Sequence, residues 1–501
     1  MNYLDKKVLV LGLGESGLSA AQWLMRCGAV LRVADTREAP ERLPQLMALC
    51  AAQESHCEFL SGQFSASLLD DIDFIVVSPG LSELNELQEI GPLAAERGIA
   101  MWSEIELFAQ SLQHLRDTQQ YQPKVLAITG TNGKTTVTSL VGLLVERSGK
   151  TVKVAGNISP AVLDVLRICV DENSLPEVWV LELSSFQLHS TFSLQADAAT
   201  VLNVTQDHLD WHGSMEAYAA DKSRIFADRT VQVLNRDDSL VMQMQKVSAD
   251  MYTFGQSVPN APHEFGLSSE HDMNWLCVAN PVDDEMTPPK RRSKNQPIPE
   301  VEVYVSRLMP ADALKIRGKH NAVNALAALA LCRAIQLPLA PLLHGLREYT
   351  GEPHRVELIA TIAEVEYYDD SKGTNVGATA AALNGLADAH RKIVLIAGGV
   401  GKGQDFTPLH NPIAKYVSVV CLIGEASEEI ARVLDGSGVE LIRCENLEQA
   451  VVTASHKARA GDKVLLSPAC ASFDMFKNYA HRAQVFIDAV REIGFARGEV
   501  A

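Results

Sequence analysis

Ala127-Ile-Thr-Gly-Thr-Asn-Gly-Lys-Thr-Thr136 is the stretch whose reading decides the fold. Lys124–Ile128 before the turn is short and apolar, and it reads as a buried strand. Residues 134–147 carry Val137, Leu140, Val141 and Leu144 at helical spacing, which predicts a helix with one apolar stripe. The Gly-rich turn between them aims its backbone N–H groups one way, with a helix N-terminus above them. That geometry suits a phosphate chain. Lys134 then reaches the outer phosphates, and the Thr135 hydroxyl is offered to Mg2+. An ordinary strand–turn–helix joint has no need of Gly-Lys-Thr at this place. The commonest phosphate loop carries a glycine where Ile128 stands here, so this loop belongs to a particular subclass.

Toward the N-terminus, residues 7–11 read as a buried strand, followed by Gly12-Leu-Gly14-Glu-Ser-Gly17 and a helix over 16–27. A second strand over 30–34 ends at Asp35-Thr36-Arg37. This is a dinucleotide-type fingerprint that fits NAD or any ribose diphosphate, including a nucleotide sugar, or a turn that keeps its glycines for packing. Phe74–Val77 runs into Ser78-Pro-Gly80 at the same sheet end. A helix over 103–113 leads to the polar stretch 113–122, where a first domain boundary is expected.

Toward the C-terminus, three strands each deliver a polar group at their ends. They are 152–155 with Asn157, 178–183 with Glu182, and 198–204 with Asp207 and His208 beyond it. A carboxylate in the last turn of an apolar strand is costly unless paired, and Mg2+ is its natural partner. His208 alone reads as a solvated loop histidine, and its place beside Asp207 tilts it toward function. Lys222 lies in a helix over 214–226 and reads, from the helix alone, as an exposed lysine. Residues 283–299 carry the basic run Lys290–Lys294 and read as an inserted surface loop. Asn321 and Asn324 stand one turn apart before an alanine-rich helix over 325–334, where they can cap it or meet a nucleotide base. Gly351-Glu-Pro-His354-Arg355 marks a second boundary. Beyond it, strands enter Asp369-Asp370-Ser371-Lys372-Gly-Thr374-Asn375, Gly398–Asp405, Gly424-Glu425 and Ser467–Phe473.

The expected fold class is therefore α/β: three consecutive Rossmann-like domains over 1–112, 113–351 and 352–501, the central one a P-loop, ATPase-type mononucleotide-binding domain. A formal net charge of −18 argues against a nucleic-acid partner. Nine scattered cysteines, with no C-x-x-C pair, fit reduced thiols in a cytoplasm. The N-terminus does not read as a signal peptide, and no apolar run reaches membrane length, so no membrane association is expected.

Taken together, Gly130–Thr135, Glu182-Leu-Ser-Ser-Phe-Gln187, Asn203-Val-Thr-Gln-Asp-His208, His320-Asn321, His354-Arg355 and Asp370–Asn375 resemble the Mur ligases over nearly the whole chain. These are ATP-dependent amide-forming enzymes of peptidoglycan precursor synthesis. Asp35-Thr-Arg37 and Ser467–Asn478 point within that family to the addition of D-glutamate to UDP-N-acetylmuramoyl-L-alanine, through an acyl phosphate. The resemblance implies a uridine diphosphate, rather than NAD, on Gly14, Glu15, Ser16, Asp35, Thr36, Arg37, Ser78 and Gly80. It implies ATP on Gly130, Thr131, Asn132, Gly133, Lys134, Thr135, Thr136, Asn157, Asn321, Asn324, Arg355 and Asp370. D-glutamate falls to Lys372, Thr374, Lys402, Ser472 and Phe473. Two Mg2+ ions are implied on Thr135, Glu182, His208 and a carbamylated Lys222, in a monomeric cytoplasmic enzyme. Two other classes remain open: an NAD-dependent dehydrogenase, which leaves the Gly-Lys-Thr loop unexplained, and a non-catalytic nucleotide-sugar sensor.

Overall fold

The structure is a computed structural model and describes residues 3–53, 57–246, 250–270, 273–282, 302–387 and 392–499. The basic run at 290–294, and the 283–299 segment around it, lie outside the described residues.

Three sheets carry the chain in sequence order. The first contains β1 (Lys7–Leu11), β2 (Val30–Asp35), β3 (Cys57–Ser61), β4 (Phe74–Val77) and β5 (Ala100–Trp102), all parallel in the order β3-β2-β1-β4-β5. The order reverses at β1, so the C-terminal ends of β1 and β4 open a crevice of the kind that takes ligands in such sheets. The second sheet contains β6 (Lys124–Thr129), β7 (Val152–Gly156), β8 (Val178–Glu182), β9 (Ala198–Val201), β10 (Val231–Asn235), β11 (Met251–Phe254), β12 (Glu264–Glu270), β13 (Met273–Pro281) and β14 (Val303–Pro310). Its order is β14-β13-β12-β11-β10-β9-β6-β8-β7, with the β12–β13 pair antiparallel. β6 sits between β8 and β9, and its register sets Ile128 opposite both Glu182 and Thr200. The third contains β15 (Glu357–Ile362), β16 (Val365–Asp369), β17 (Ile393–Gly398), β18 (Val417–Ile423), β19 (Glu440–Arg443) and β20 (Lys463–Leu466), in the order β15-β16-β20-β17-β18-β19. Only its edge strand β15 runs antiparallel.

The strands that feed the sites are buried along their length, as parallel strands covered by helices on both faces must be. The helix Lys134–Arg147 buries Val137, Leu140, Val141, Leu144 and Val145. Each of these removes apolar surface from water at up to about 1.5–3 kcal/mol. The chain forms two compact units. One is Met1–Val204, Trp211–Met309 and Ala325–Leu346, and the other is Thr205–Asp210, Pro310–Asn324 and Arg347–Ala501. In the first unit one apolar core joins residues of both its sheets, among them Val8, Leu24, Phe108, Leu163 and Trp179. In the second unit the two faces of the third sheet have separate cores.

Several boundaries differ from the sequence expectations. The helix expected over 103–113 is Glu104–Gln119, so most of the polar stretch after it is helical. Its outer turns are tied by side chains, with Gln113 Nε2 donating to Asp117 and Thr118 Oγ1 to the carbonyl of His114. The alanine-rich helix begins at Lys319, so Asn321 and Asn324 lie within it. β9 ends at Val201, and the chain reaches His208 through six further residues, five of irregular backbone and a bend at Gln206.

Candidate functional site

In the first unit the phosphate loop leaves β6 and enters the helix through Gly133, whose φ of +84° favours glycine. Asn203 clamps the loop from the end of β9. Its Oδ1 accepts from Asn132 N at 2.8 Å, and its Nδ2 donates to the Asn132 carbonyl at 3.0 Å. Lys134 folds back over the turn and donates to the carbonyls of Gly130, at 2.8 Å, and Thr131, at 2.9 Å. Thr135 and Thr136 are buried at the helix start.

Beside the loop, β8 ends at Glu182, which is 2% exposed. Oε1 accepts from Asn157 Nδ2 at 3.0 Å, while Oε2 is buried and accepts no hydrogen bond from the described residues. A buried carboxylate oxygen left in that state costs free energy that a bound cation would recover. Ser184 and Gln187 form a reciprocal cap directly after it, so the strand exit is fixed.

Lys222 corrects the reading of an exposed helical lysine. It is 1% exposed, its Nζ donates to the Gly130 carbonyl at 3.1 Å, and the ammonium stands 4.4 Å from the centre of the Tyr218 ring. The helix that carries it, Met215–Ser223, turns Tyr218, Asp221 and Lys222 inward. Tyr218 Oη meets Thr131 Oγ1 at 3.2 Å, which ties this helix to the phosphate loop. Gly130, Thr131, Lys134 and Lys222 therefore form one cluster, and Asn157 with Glu182 another at the neighbouring strand ends.

The first sheet presents a second Gly-rich turn. A Cβ on Gly17 would stand 2.0 Å from the Gly12 carbonyl oxygen, so only glycine fits there. Ser78 Oγ donates to the same carbonyl at 2.8 Å. Gly14 caps the helix Glu15–Arg26 without a side chain. Glu15 accepts from Ser159 Oγ at 2.6 Å, and the Ser16 hydroxyl bonds to the buried Glu104. Asp35, at the end of β2, accepts from Leu13 N at 2.7 Å and from Arg37 through its N–H and guanidinium. Burial works against the anion, but these donors outweigh it and hold the carboxyl at about 2. Asp35 thus shapes the turn. Thr36, Arg37 and Gly80 remain exposed at the strand ends.

In the second unit, Asn321 Nδ2 donates to the Arg317 carbonyl at 2.8 Å, and Asn324 Nδ2 to Asn321 Oδ1 at 3.2 Å. Asp370, just past β16, accepts from Ser467 Oγ at 2.7 Å. Burial pushes its carboxyl up to about 7, with Ser467 and the Arg355 charge opposing the rise in part. Burial also pushes the His320 imidazole down to about 4, and Arg355 adds to that. Lys372 lies over the Tyr479 ring at 5.5 Å, with Thr374 N bonded to its carbonyl. Ser472 is buried and Phe473 is 72% exposed. His208 belongs to this unit, with Nε2 3.6 Å from Asp207 Oδ2. Asp207 also accepts from Asn375 Nδ2 at 3.2 Å and lies 3.9 Å from Lys402 Nζ.

Sequence reasoning gave no role to Asn203, Tyr218, Asp207 or Asn375. A signal existed for Asn203, since it stands where a strand end faces the loop. For Tyr218 the helical spacing to Lys222 was the only trace.

Three family models match the chain. "Mur ligase MurD-like, N-terminal domain" covers residues 6–100, "Mur ligase middle domain" 128–332, and "Mur ligase, glutamate ligase domain" 354–470. Two similar curated proteins bear the name UDP-N-acetylmuramoylalanine–D-glutamate ligase. The one from Ralstonia nicotianae is 57% identical over 494 residues, covering 98% of each chain. The one from Cupriavidus pinatubonensis is 58% identical over 498 residues, again 98% of each. Among solved structures, a MurF ligase from Thermotoga maritima in complex with ADP superposes with a TM-score of 0.59 over 99% of this chain and 96% of its own. At 16% identity that likeness shows a shared fold.

Proposed function

We propose that this chain, which belongs to the Mur ligase family, joins D-glutamate to UDP-N-acetylmuramoyl-L-alanine with ATP, releasing ADP and phosphate in peptidoglycan precursor synthesis. The choice of substrates rests on the names of the full-length relatives. The observation that carries the ligase chemistry is Glu182, a buried strand-end carboxylate with one oxygen on Asn157 and the other without a hydrogen bond, next to a Gly-Lys-Thr loop.

A carboxylate oxygen on Glu182 and the Thr135 hydroxyl are donors that suit Mg2+, and we assign the His208 imidazole and a carbamylated Lys222 to it as well. Mg2+ supplies charge neutralisation between the triphosphate and the substrate carboxylate. Lys222 reaches the carbamate as a neutral amine that adds CO2 and loses a proton. Lys134, freed from the loop carbonyls, takes the outer phosphates. The backbone of Gly130–Thr136 cradles the chain, and Asn157 orients Glu182. Asn321 and Asn324 take the base, while Arg355 and Asp370 hold the rest of ATP. In the first sheet, Gly14, Glu15, Ser16, Thr36, Arg37, Ser78 and Gly80 hold the uridine diphosphate on a turn shaped by Asp35. Lys372, Thr374, Lys402, Ser472 and Phe473 receive D-glutamate, with the lysines on its carboxylates.

The reaction runs in two balanced steps. The L-alanyl carboxylate oxygen takes the γ-phosphoryl group and ADP leaves. The amine of D-glutamate then attacks the acyl carbon, loses a proton, and phosphate leaves as the amide forms. We assign residues 1–112 to the UDP substrate, 113–351 to ATP and 352–501 to the amino acid. Among the described residues no helix is long and apolar enough to cross a membrane, and we place the enzyme in the cytoplasm as a monomer.

Phosphate release tests the reading. Release from ATP should require UDP-N-acetylmuramoyl-L-alanine and D-glutamate together, and L-glutamate or meso-diaminopimelate should not replace D-glutamate. Release driven by another amino acid moves the chain to a different member of the family. No release with any of them overturns the ligase reading.

A further inference from the structure

A chain of polar side chains lies behind Lys222, on the helix that carries it. Asp221 precedes Lys222 and is 6% exposed. Its Oδ2 faces His212 Nδ1 at 3.0 Å, and its Oδ1 faces His189 Nδ1 at 3.0 Å and Arg224 Nε at 3.3 Å. His212 is fully buried, and its Nε2 meets the Ser185 hydroxyl at 2.9 Å. Phe186 stacks on His212, with ring centres 5.4 Å apart and planes 12° apart. The other nitrogen of His189 reaches Glu83 Oε1 at 3.1 Å, on the loop after β4. Ser185, Phe186 and His189 all belong to the short helix that follows Glu182.

Ser185, His212 and Asp221 have the connectivity of a nucleophilic triad. That reading fails on access. The cavity of about 270 Å3 beside them is lined by Ser78, Glu83, Phe186, His189 and Arg224, among others, and by neither Ser185 nor His212. A serine that no substrate can reach is no nucleophile.

We propose that Asp221, gripped by His212 and His189, is the positioning residue that sets Lys222 against the phosphate loop. A nine-residue helix does not hold itself in place and depends on its tertiary ties. This one has Tyr218 on Thr131, Lys222 on Gly130, and Asp221 on the helix that leaves Glu182. Two bonds come from the loop that Lys222 must serve. The Asp221 bonds anchor the helix from another side, to the element whose start is fixed by the exit from β8. Deleting them loosens the helix that sets Lys222 on the Gly130 carbonyl.

This rests on the carbamate reading of Lys222, and the test separates the two. The full chain is loaded with 13C-bicarbonate and its lysine carbamate is followed by 13C NMR, beside kcat and the KM of each substrate. The wild type should show the signal, and its absence there would overturn the carbamate reading itself. Asp221→Asn should weaken the signal and lower kcat by about tenfold or more, with each KM within about twofold, and excess bicarbonate should restore part of kcat. His189→Gln, at the more exposed end of the network, should move the same readouts in the same direction by less, and it decides alone if Asp221→Asn does not fold. A full carbamate signal and wild-type kcat in the folded variants would overturn the positioning role.

Discussion

Asp35 and Glu182 occupy equivalent places. Each ends a buried parallel strand beside a Gly-rich turn, and each is 2% exposed. Their bonding is opposite. Both oxygens of Asp35 are taken by Leu13 and Arg37, and the carboxyl is held at about 2. Glu182 spends one oxygen on Asn157, and the other is buried with no hydrogen bond from the described residues. A strand-end carboxylate whose capacity is used internally shapes a turn. One whose capacity is left over suits a cation, which is the role we propose for Glu182. Two carboxylates at the same place in two sheets are thus bonded in opposite ways, and bond accounting separates them where sequence position does not.

The sharpest way to break this contrast is Glu182→Gln. The amide keeps the Asn157 contact and the shape but removes the charge. Activity should fall about 10^3-fold. Thermal stability without ligand should hold or rise, because a buried anion is gone. Stabilisation by Mg2+ with an ATP analogue should disappear in melting curves, and a variant still stabilised by that mixture would contradict the contrast.

Asp35→Asn should do the reverse: kcat unchanged, KM for the UDP-linked substrate up by about tenfold, and stability at pH 7 down by about 1 kcal/mol, since solvent screens the exposed Arg37. The sign follows from the depressed carboxyl. Its stabilisation is present above the usual carboxylate value near 4 and is lost as the pH falls toward about 2. The gap between wild type and variant in denaturant melts should therefore close on acidification. A gap that stays constant to pH 2 would remove the ionic account of Asp35.

The smallest effect is expected at Glu104, a third buried carboxylate, which accepts from Leu163 N at 3.0 Å. Burial raises it to about 7, with the Leu163 N–H and the Ser16 hydroxyl opposing. A raised carboxyl costs stability as the pH rises from its unfolded value near 4.3 through about 7. Glu104→Gln should therefore match wild type at pH 4.5 and melt a few degrees higher at pH 8. Equal melting temperatures at both pH values would show that the folded protein does not raise this carboxyl.

Much of this was legible in the sequence. The helix Lys134–Arg147 is legible from Lys134 to about its last turn, because its turn glycines and apolar stripe agree. Glu182 was read for its cost, since an acid closing an apolar strand needs a partner. Lys222 was misread from the helix alone. Its burial comes from the loop and from Tyr218, and neither contact leaves a mark in helical periodicity. Asp221 was passed over for the same reason, because its partners His189 and His212 are 32 and 9 residues away. The helix that ran on to Gln119 was cut short because its last turns are polar and are held by side-chain bonds instead of by a core.

The claim that Glu182 keeps an oxygen for a metal ion is tested most directly by crystals grown with Mn2+ in place of Mg2+ and a non-hydrolysable ATP analogue. Anomalous scattering then locates the ion. The account predicts a manganese peak within coordination distance, about the 2.1 Å of Mg2+, of the Glu182 oxygen that Asn157 does not hold. A nucleotide bound with its ion elsewhere, and the Glu182 oxygen still without a metal, would contradict it.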